Sequence, residues 1–133
     1  MVNNIKQRLL IVDDTGYVRT FLLCCLGNVY ECEATASAEE AAERLRTEEF
    51  ELVITDISMP GMSGLELCKY IRRNYPKTVV VVMSGNQEQA YEMTVKQLGA
   101  FGFLKKPFGA QAVLGIVRAA LASQGYVGEW QGT

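Results

Sequence analysis

Five short segments of the chain are rich in hydrophobic residues, and each gives way to polar residues, glycine or proline. The runs near residues 10, 53 and 80 are almost unbroken, which is typical of strands buried on both faces of a parallel sheet. The run near residue 32 alternates between hydrophobic residues and glutamates, which predicts an edge strand with one face in solvent. The predicted strands cover residues 9–12, 29–34, 52–56, 78–83 and 101–105.

Between these strands, hydrophobic residues recur at the spacing of one helix face. Two capping boxes mark helix starts, and glycine or proline marks three helix ends. These signals are Ser37 with Glu40, Ser63 with Glu66, Gly27, Pro76 and Gly99. The predicted helices cover residues 15–26, 37–46, 63–75, 87–98 and 110–123. The residues expected to pack from the first and fourth helices are Val18, Phe21, Leu22, Cys25 and Leu26, and Ala90, Met93, Val95 and Leu98.

The regular alternation of strands and helices predicts the fold class. Strands that alternate with helices at this spacing form βαβ units with right-handed crossovers. We therefore expect an α/β protein with one five-stranded parallel sheet, doubly wound so that helices cover both faces. The domain is expected to span residues 1–123. Residues 124–133 lose the hydrophobic periodicity and are expected to be a frayed tail or the start of a linker.

Composition and charge narrow the function classes. The chain has 133 residues, 49% of them hydrophobic and 21% charged, with a formal net charge of −2. This composition is typical of a globular domain, and the charge gives no bulk attraction to nucleic acid or to acidic membranes. The first residues lack the hydrophobic core of a signal peptide, and no run is long enough to span a bilayer. A cytoplasmic location is therefore the default expectation.

The counts of histidine and cysteine restrict the chemistry further. The chain contains no histidine, which excludes Ser-His-Asp and Cys-His catalysis, histidine-ligated zinc and a histidine phosphoryl carrier. Its four cysteines form no C-x-x-C pair and lie in hydrophobic segments, so we expect small buried hydrophobic residues rather than metal ligands. They are Cys24, Cys25, Cys32 and Cys68.

Polar residues stand where four of the predicted strands end, and a parallel sheet would bring them to one edge. They are Asp13 and Asp14, Asp56, Ser84 and Lys106. Three crowded carboxylates would repel one another, and Mg²⁺ prefers such oxygen ligands. The ammonium could pair with an added phosphoryl group, the hydroxyl could donate to it, and Asp56 could be the nucleophile. Each residue alone could instead be an ordinary cap, turn or solvated side chain.

In this order and spacing, the motifs resemble the receiver domain of two-component response regulators, over the chain to about Ser123. The matching segments are Leu10-Ile11-Val12-Asp13-Asp14, Ile54-Thr55-Asp56, Met59-Pro60-Gly61-Met62-Ser63-Gly64, Met83-Ser84-Gly85 and Phe103-Leu104-Lys105-Lys106-Pro107-Phe108. The resemblance implies a flavodoxin-like (βα)5 fold with strand order 2-1-3-4-5. It also implies a signalling phosphoacceptor rather than an enzyme with a separate substrate.

The same resemblance assigns roles to the residues at the predicted sheet edge. Asp56 would accept a phosphoryl group from a sensor histidine kinase. Asp14, Asp56 and the main-chain carbonyl of Ser58 would contact Mg²⁺ directly, and Asp13 would act through water. Lys106 would pair with the phosphoryl group. The peptide bond from Lys106 to Pro107 would be cis, which is an uncommon state for a bond before proline.

The resemblance also implies a conformational switch. Ser84 would move to hydrogen-bond the phosphoryl group, and Phe103 would move into the vacated space. Many family members carry tyrosine at the place of Phe103; a phenylalanine has no hydroxyl to offer a partner, and the alternative is that its ring is only packing surface. Ser58 and Asn86 would influence the lifetime of the phosphoryl group.

Two surfaces are expected to bind partners. The face formed by residues 87–121 would contact an output domain or a downstream protein, and the hydrophobic last helix is also compatible with a homodimer. Its candidate exposed residues are Tyr91, Lys96, Lys105 and Arg118. Tyr17 and Arg19 on the first helix are candidates for kinase docking. No direct binding of nucleic acid or of a membrane is expected from this domain.

Two other functions remain open from the sequence. A receiver-like module that is never phosphorylated would keep the fold and act only by binding. A phosphatase of the haloacid dehalogenase type would also use an aspartate and Mg²⁺, but that family needs two aspartates separated by one residue on the first strand. Here Asp13 and Asp14 are adjacent.

Overall fold

Five strands and five helices alternate along the part of the chain that the computed structural model describes. This part covers residues 6–85 and 92–129, with side chains up to Ser123. The strands are β1 (Arg8–Val12), β2 (Glu31–Thr35), β3 (Leu52–Asp56), β4 (Val79–Ser84) and β5 (Gly102–Lys105). The helices are α1 (Gly16–Leu26), α2 (Ala38–Thr47), α3 (Gly64–Asn74), α4 (Glu92–Gln97) and α5 (Ala110–Glu129).

The strands form one parallel sheet in the order β2-β1-β3-β4-β5. Every neighbouring pair is parallel, so all the carboxyl ends lie along one edge. At that edge Val12 lies beside Thr35 on one side and Thr55 on the other, and Asp56 lies beside Met83. The predicted α/β class, the strand order and the edge position of β2 are confirmed.

The core consists of two layers, one on each face of the sheet, because successive strand residues point to opposite faces. Leu9 and Ile11 of β1 pack with α1 and α5, whereas Leu10 and Val12 pack with the helices of the other face. Every residue of β3 and β4 is buried. The central strands are therefore covered on both sides, as their unbroken hydrophobic runs predict.

Helix α1 corrects two expectations about burial. Its buried stripe is Val18, Leu22 and Leu26, which follow one another at a spacing of four residues. Phe21, which we expected to pack, keeps 38% of its surface exposed at the side of this stripe and meets the Phe108 ring at 6.1 Å between centroids. Cys24 lies off the stripe and is exposed, so its expected burial is wrong.

The expected burial is confirmed for Cys68 and for Val95 of α4, but not for Met93. Cys68 is buried, and burial raises the pKa of its thiol to about 11, as expected for an inert hydrophobic residue. All four cysteines are free. In α4 Val95 is fully buried, but Met93 is 72% exposed, so its expected packing is wrong. The predicted start of this helix at residue 87, and Ala90 with it, lie outside the described residues.

The helix-end signals hold in part. Ser63 and Glu66 form the complete capping box of α3. At α2 only half of the expected box forms: the Ser37 hydroxyl accepts from Glu40 N at 3.1 Å, but the Glu40 carboxylate accepts from Ala36 N at 3.2 Å. Gly99 follows α4 with a φ of +100°, which confirms it as the stop of that helix.

The last helix is longer than its predicted range. It continues to Glu129 instead of ending at Ser123, because no proline interrupts it and adding residues to an existing helix costs little. Residues 130–133 of the expected tail lie outside the described residues. Within the described chain, no helix combines the length and the hydrophobicity needed to cross a bilayer.

Gly64 allows the start of α3 to lie close against the backbone at the end of β3. A Cβ atom at Gly64 would lie 1.8 Å from the Asp56 carbonyl oxygen, whereas one at Gly115 in α5 would meet nothing within 4 Å. We expect Gly64→Ala to lower the free energy of unfolding by about 1–3 kcal/mol, because backbone must shift. Gly115→Ala should raise it by about 0.5–1 kcal/mol, since alanine is the better helix former.

Urea denaturation of the two variants and the wild type measures both effects. Equal stability of Gly64→Ala and the wild type would contradict the close approach of α3 to β3.

Candidate functional site

Asp56 is the last residue of the central strand β3, and its exposed fraction is only 6%. The next residue fixes its direction: Ile57 N donates to the Met83 carbonyl at 2.9 Å and to Asp56 Oδ1 at 3.0 Å. The chain therefore continues the ladder with β4 for one more residue while its amide hydrogen holds the carboxylate at the sheet edge.

Asp13 follows β1 and is fully buried beside this carboxylate. Its Oδ1 accepts from Thr15 N at 2.8 Å, and its own amide donates to the Thr35 carbonyl at 3.2 Å. Thr15, not an aspartate, is the N-cap residue of α1, and its side chain makes no capping hydrogen bond. Asp14 is exposed at the mouth of the site. The capping role considered for Asp13 and Asp14 is therefore not observed.

Among the described residues, Lys106 is the lysine whose ammonium group contacts these carboxylates. Its Nζ lies 3.3 Å from Asp13 Oδ2 and 3.4 Å from Asp56 Oδ1, and its side chain is 26% exposed. The Lys106 amide donates to the Ser84 carbonyl at 2.7 Å, so the residue is placed by an extension of the ladder between β4 and β5. The peptide bond from Lys106 to Pro107 is cis, as expected.

The three aspartates predicted at the sheet edge come together. Asp13, Asp14 and Asp56 can each offer a carboxylate oxygen, and these oxygens lie within 4.8 Å of one another. Three carboxylates against the Lys106 ammonium leave an excess of negative charge. The group therefore has the chemistry of a site for a hard divalent cation.

The electrostatics of Asp56 and Lys106 follow from this arrangement. Burial raises the pKa of Asp56 to about 6, and the Asp13 charge adds to this effect, whereas the Lys106 ammonium opposes it. For Lys106, burial favours the neutral amine, but the Asp56 and Asp13 carboxylates outweigh it and raise its pKa. At neutral pH the site thus holds an ionised aspartate that is poorly solvated and a firmly protonated lysine.

Ser84 is the last residue of β4, and Phe103 lies within β5. Ser84 is fully buried, and its hydroxyl donates to the neighbouring Gly85 carbonyl at 3.3 Å. Neither the Ser84 nor the Phe103 side chain forms a hydrogen bond to Asp56. Phe103 is half-buried and packs against the layer formed by α2, α3 and α4.

Most of the remaining candidate residues are exposed, whereas one of them makes a hydrogen bond within the protein. Ser58 is exposed in the loop after β3, and Tyr17 on α1 is 79% exposed. Arg19 is half-buried because its guanidinium Nη1 donates to the Asp13 carbonyl at 2.7 Å. Three candidates of the second surface are exposed, namely Lys96, Lys105 and Arg118. Asn86 and Tyr91 lie outside the described residues.

Two contacts at the site were not expected from the sequence. Arg19 supports Asp13 through its main-chain carbonyl, and Glu39 of α2 accepts from Met62 N, in the loop after β3, at 2.8 Å. No spacing signal identifies either contact, since each joins a side chain to the backbone of another segment. Glu39 is also part of the Ser37 box sequence, which gives it an ordinary role at a helix start.

Comparisons with known proteins agree with this geometry. The family model described as the response regulator receiver domain matches residues 9–118. The chain is 33% identical over 117 residues to the response regulator protein PilR of Pseudomonas aeruginosa, which covers 87% of this chain and 26% of PilR. It is 33% identical over 113 residues to the DNA-binding transcriptional regulator NtrC of Klebsiella pneumoniae, which covers 84% of this chain and 24% of NtrC. The chain thus spans about a quarter of the length of these relatives.

A solved structure gives the same result for the fold. The CheY-like response regulator receiver domain protein of Methanospirillum hungatei JF-1 superposes with a TM-score of 0.84 at 27% identity, over 90% of this chain and 96% of that one. The family match covers most of the described sheet and its carboxyl edge. The chain therefore belongs to the response regulator receiver domains, the signalling domains of two-component systems.

Proposed function

We propose that Asp56 is the phosphoacceptor of this receiver domain and that a sensor histidine kinase is the phosphoryl donor. The observation that supports this proposal best is the position of the Asp56 carboxylate. It lies at the end of the central strand, between two further carboxylates and an ammonium. Buried charge of this kind is rarely kept without a partner, and a cation together with a transferable phosphoryl group provides one.

Mg²⁺ fits the residues at the site. The donor set is three carboxylates that converge within 4.8 Å, with one ammonium among the described residues at their side. We propose Asp14, Asp56 and the Ser58 carbonyl as direct ligands, with Asp13 acting through water. The exposure of Asp14 and the engagement of Asp13 with Thr15 N and Lys106 are consistent with this division. When bound, the ion would neutralise charge that builds up on the transferring phosphoryl oxygens.

The contacts of Asp56 suggest which oxygen attacks. Among the described residues, both polar partners of its carboxylate, Ile57 N and Lys106 Nζ, meet Oδ1, so Oδ2 has no partner there. We propose that Oδ2 forms the new bond to phosphorus while the bond from phosphorus to the imidazole nitrogen of the kinase breaks. The electron pair of the broken bond stays with that nitrogen. Lys106 then pairs with the phosphoryl oxygens.

The switch is proposed to begin at Ser84. Phosphorylation replaces the single charge of Asp56 with nearly two and adds acceptor oxygens at the sheet edge. The Ser84 hydroxyl now donates to the Gly85 carbonyl, and a phosphoryl oxygen would be a stronger, charged acceptor. Movement of Ser84 would free space for Phe103, which is half-buried and so has room on its outer side. A contact made only in the phosphorylated state is what shifts a two-state equilibrium.

The output is proposed to be an attached domain or a separate protein that contacts the face of α4, β5 and α5. The relatives PilR and NtrC are about four times longer than the matched region, so most of each relative lies outside the match. We propose residues 1–123 as the receiver domain. The net charge of the whole chain, −2, gives no support for nucleic acid binding by this domain itself.

Phosphorylation can be tested with a small donor. We expect acetyl phosphate with Mg²⁺ to add one phosphoryl group to the wild type, detected by mass spectrometry of the intact protein. Asp56→Asn should remain unlabelled, because an amide oxygen is a poor nucleophile. Beryllofluoride with Mg²⁺ should shift amide resonances near Ser84 and Phe103 in the wild type but not in the variant. Labelling of Asp56→Asn to the same extent would refute the assignment.

The pH dependence of stability tests the burial of Asp56. EDTA keeps divalent cations away from the site in this experiment. The pKa of Asp56 is about 6 in the folded protein and 3.8 in the unfolded chain, so the folded protein binds a proton at Asp56 more tightly than the unfolded chain does. The contribution of Asp56 to stability is therefore lost as the pH rises through about 4 to 6. As the pH rises between these limits, the free energy of unfolding of Asp56→Asn should increase by about 1–2 kcal/mol relative to that of the wild type. This figure allows for solvent screening at this edge of the sheet.

Thermal unfolding of both proteins across this pH range measures the difference. Mg²⁺ at neutral pH should stabilise the wild type and leave Asp56→Asn nearly unchanged, since ligand binding to the folded state adds stability. A difference between the two proteins that does not depend on pH would contradict the raised pKa.

Kinase docking is expected to depend on Tyr17. This side chain is exposed on the first turn of α1, three residues after Asp14 in the sequence. We expect Tyr17→Ala to slow transfer from a phosphorylated histidine kinase by about tenfold, because exposed aromatic residues dominate many interfaces. Labelling by acetyl phosphate should not change. Val29→Ala is the control, since Val29 is also an exposed hydrophobic residue (49%) but precedes β2 at the opposite edge of the sheet.

Equal transfer rates for Tyr17→Ala and Val29→Ala would exclude docking through Tyr17. Arg19→Ala is unsuitable for this purpose, because it would also remove the hydrogen bond to the Asp13 carbonyl.

A further inference from the structure

We infer that Glu39, on helix α2, is a positioning residue for the metal site. The inference rests on the proposed function, because it concerns the loop that carries the Ser58 carbonyl. Glu39 does not touch the three aspartates. It acts on the backbone of residues 57–63, which connect Asp56 to helix α3.

Both ends of this loop are fixed by their own hydrogen bonds. At the start, Ile57 N is held by the Met83 carbonyl and by Asp56 Oδ1. At the end, Gly64 N donates to the Ile57 carbonyl at 2.9 Å, and the capping box of Ser63 begins α3. The stretch between these anchors, residues 58–62, carries the proposed main-chain ligand of Mg²⁺.

Glu39 holds the loop from outside at Met62, the last residue before the Ser63 anchor. Its Oε2 accepts from Met62 N at 2.8 Å, and this amide hydrogen bond lowers the pKa of the Glu39 carboxyl. Among residues 59–62, all of them described, this is the one hydrogen bond that comes from another element. Helix α2 begins at Ala38, so Glu39 is also in the first turn, where the helix dipole favours a carboxylate.

Gly61 makes room for this contact. A Cβ atom at Gly61 would lie 2.4 Å from Glu39 Oε2, and the backbone there has a φ of +78°. A side chain would therefore both strain the turn and displace the carboxylate. The Pro60-Gly61 turn and Glu39 thus fit each other, although Pro60 and Gly61 lie 21 and 22 positions after Glu39 in the sequence.

Loss of the Glu39 contact is expected to weaken the binding of Mg²⁺ at the site. A carbonyl ligand contributes only if its loop is held in the binding position, and outer contacts that orient ligands commonly change metal affinity by about 10–100-fold. Glu39 acts through the backbone, so we expect the lower end of this range. The rate of phosphorylation at saturating Mg²⁺ should stay near that of the wild type, since Asp56 and Lys106 keep their places.

A Mg²⁺ titration of four proteins tests the inference: the wild type, Glu39→Ala, Glu39→Gln and Glu43→Ala. Half-saturation is read from amide spectra and from the Mg²⁺ dependence of labelling by acetyl phosphate. We expect Glu39→Ala to raise the half-saturating concentration about tenfold. Glu39→Gln should raise it less, because its amide oxygen still accepts from Met62 N without the charge. Glu43→Ala should match the wild type, since Glu43 is one turn further along α2 and pairs with Arg46.

The outcomes separate the two proposals. If the wild type binds no Mg²⁺ or accepts no phosphoryl group, the proposed function is wrong. If the wild type does both and Glu39→Ala has the same half-saturation, only the positioning role is wrong. A loss of thermal stability in Glu39→Ala without a change in half-saturation would also overturn the positioning role. If Glu39→Ala does not fold, Glu39→Gln alone decides by the same comparison.

Discussion

The structure depends on one electrostatic constraint, the burial of a carboxylate at the end of the central strand. Asp56 has little access to water and has Asp13 as a like-charged neighbour, so its ionised form is disfavoured. Lys106 compensates for part of this cost. The remaining imbalance gives the site its chemistry, because any group that brings positive charge or rearranges the negative charge changes the energy of the whole sheet edge.

The parallel sheet is what makes such a site possible. Since all five strands run in the same direction, each one delivers its terminal polar residue to the same edge. The strands β1, β3 and β4 are hydrophobic on both faces and pack between two layers of helices. The polar residues at the sheet edge therefore belong to a rigid frame.

The neighbourhood of Asp56 is held mainly by backbone contacts. Ile57 N orients the carboxylate, Gly64 lets α3 approach the end of β3, and the amides and carbonyls of the adjoining loops receive Arg19 and Glu39. Backbone groups are a stable target for such contacts, because their positions are fixed by the strands that they continue. The site thus extends beyond the residues that would touch a phosphoryl group.

The sequence by itself determined the alternation of strands and helices, the class of the sheet and the residues at its carboxyl edge. These follow from hydrophobic periodicity and from the rule that parallel strands end together. Tertiary structure decided which residues of α1 and α4 are covered: Phe21, Cys24 and Met93 belong to hydrophobic segments, but no neighbouring element covers them fully. It also decided the contacts of Arg19 and Glu39, because a side chain that binds a distant backbone group leaves no periodic trace. Local patterns record which face of an element is hydrophobic, whereas the partner of that face is set only when the elements pack together.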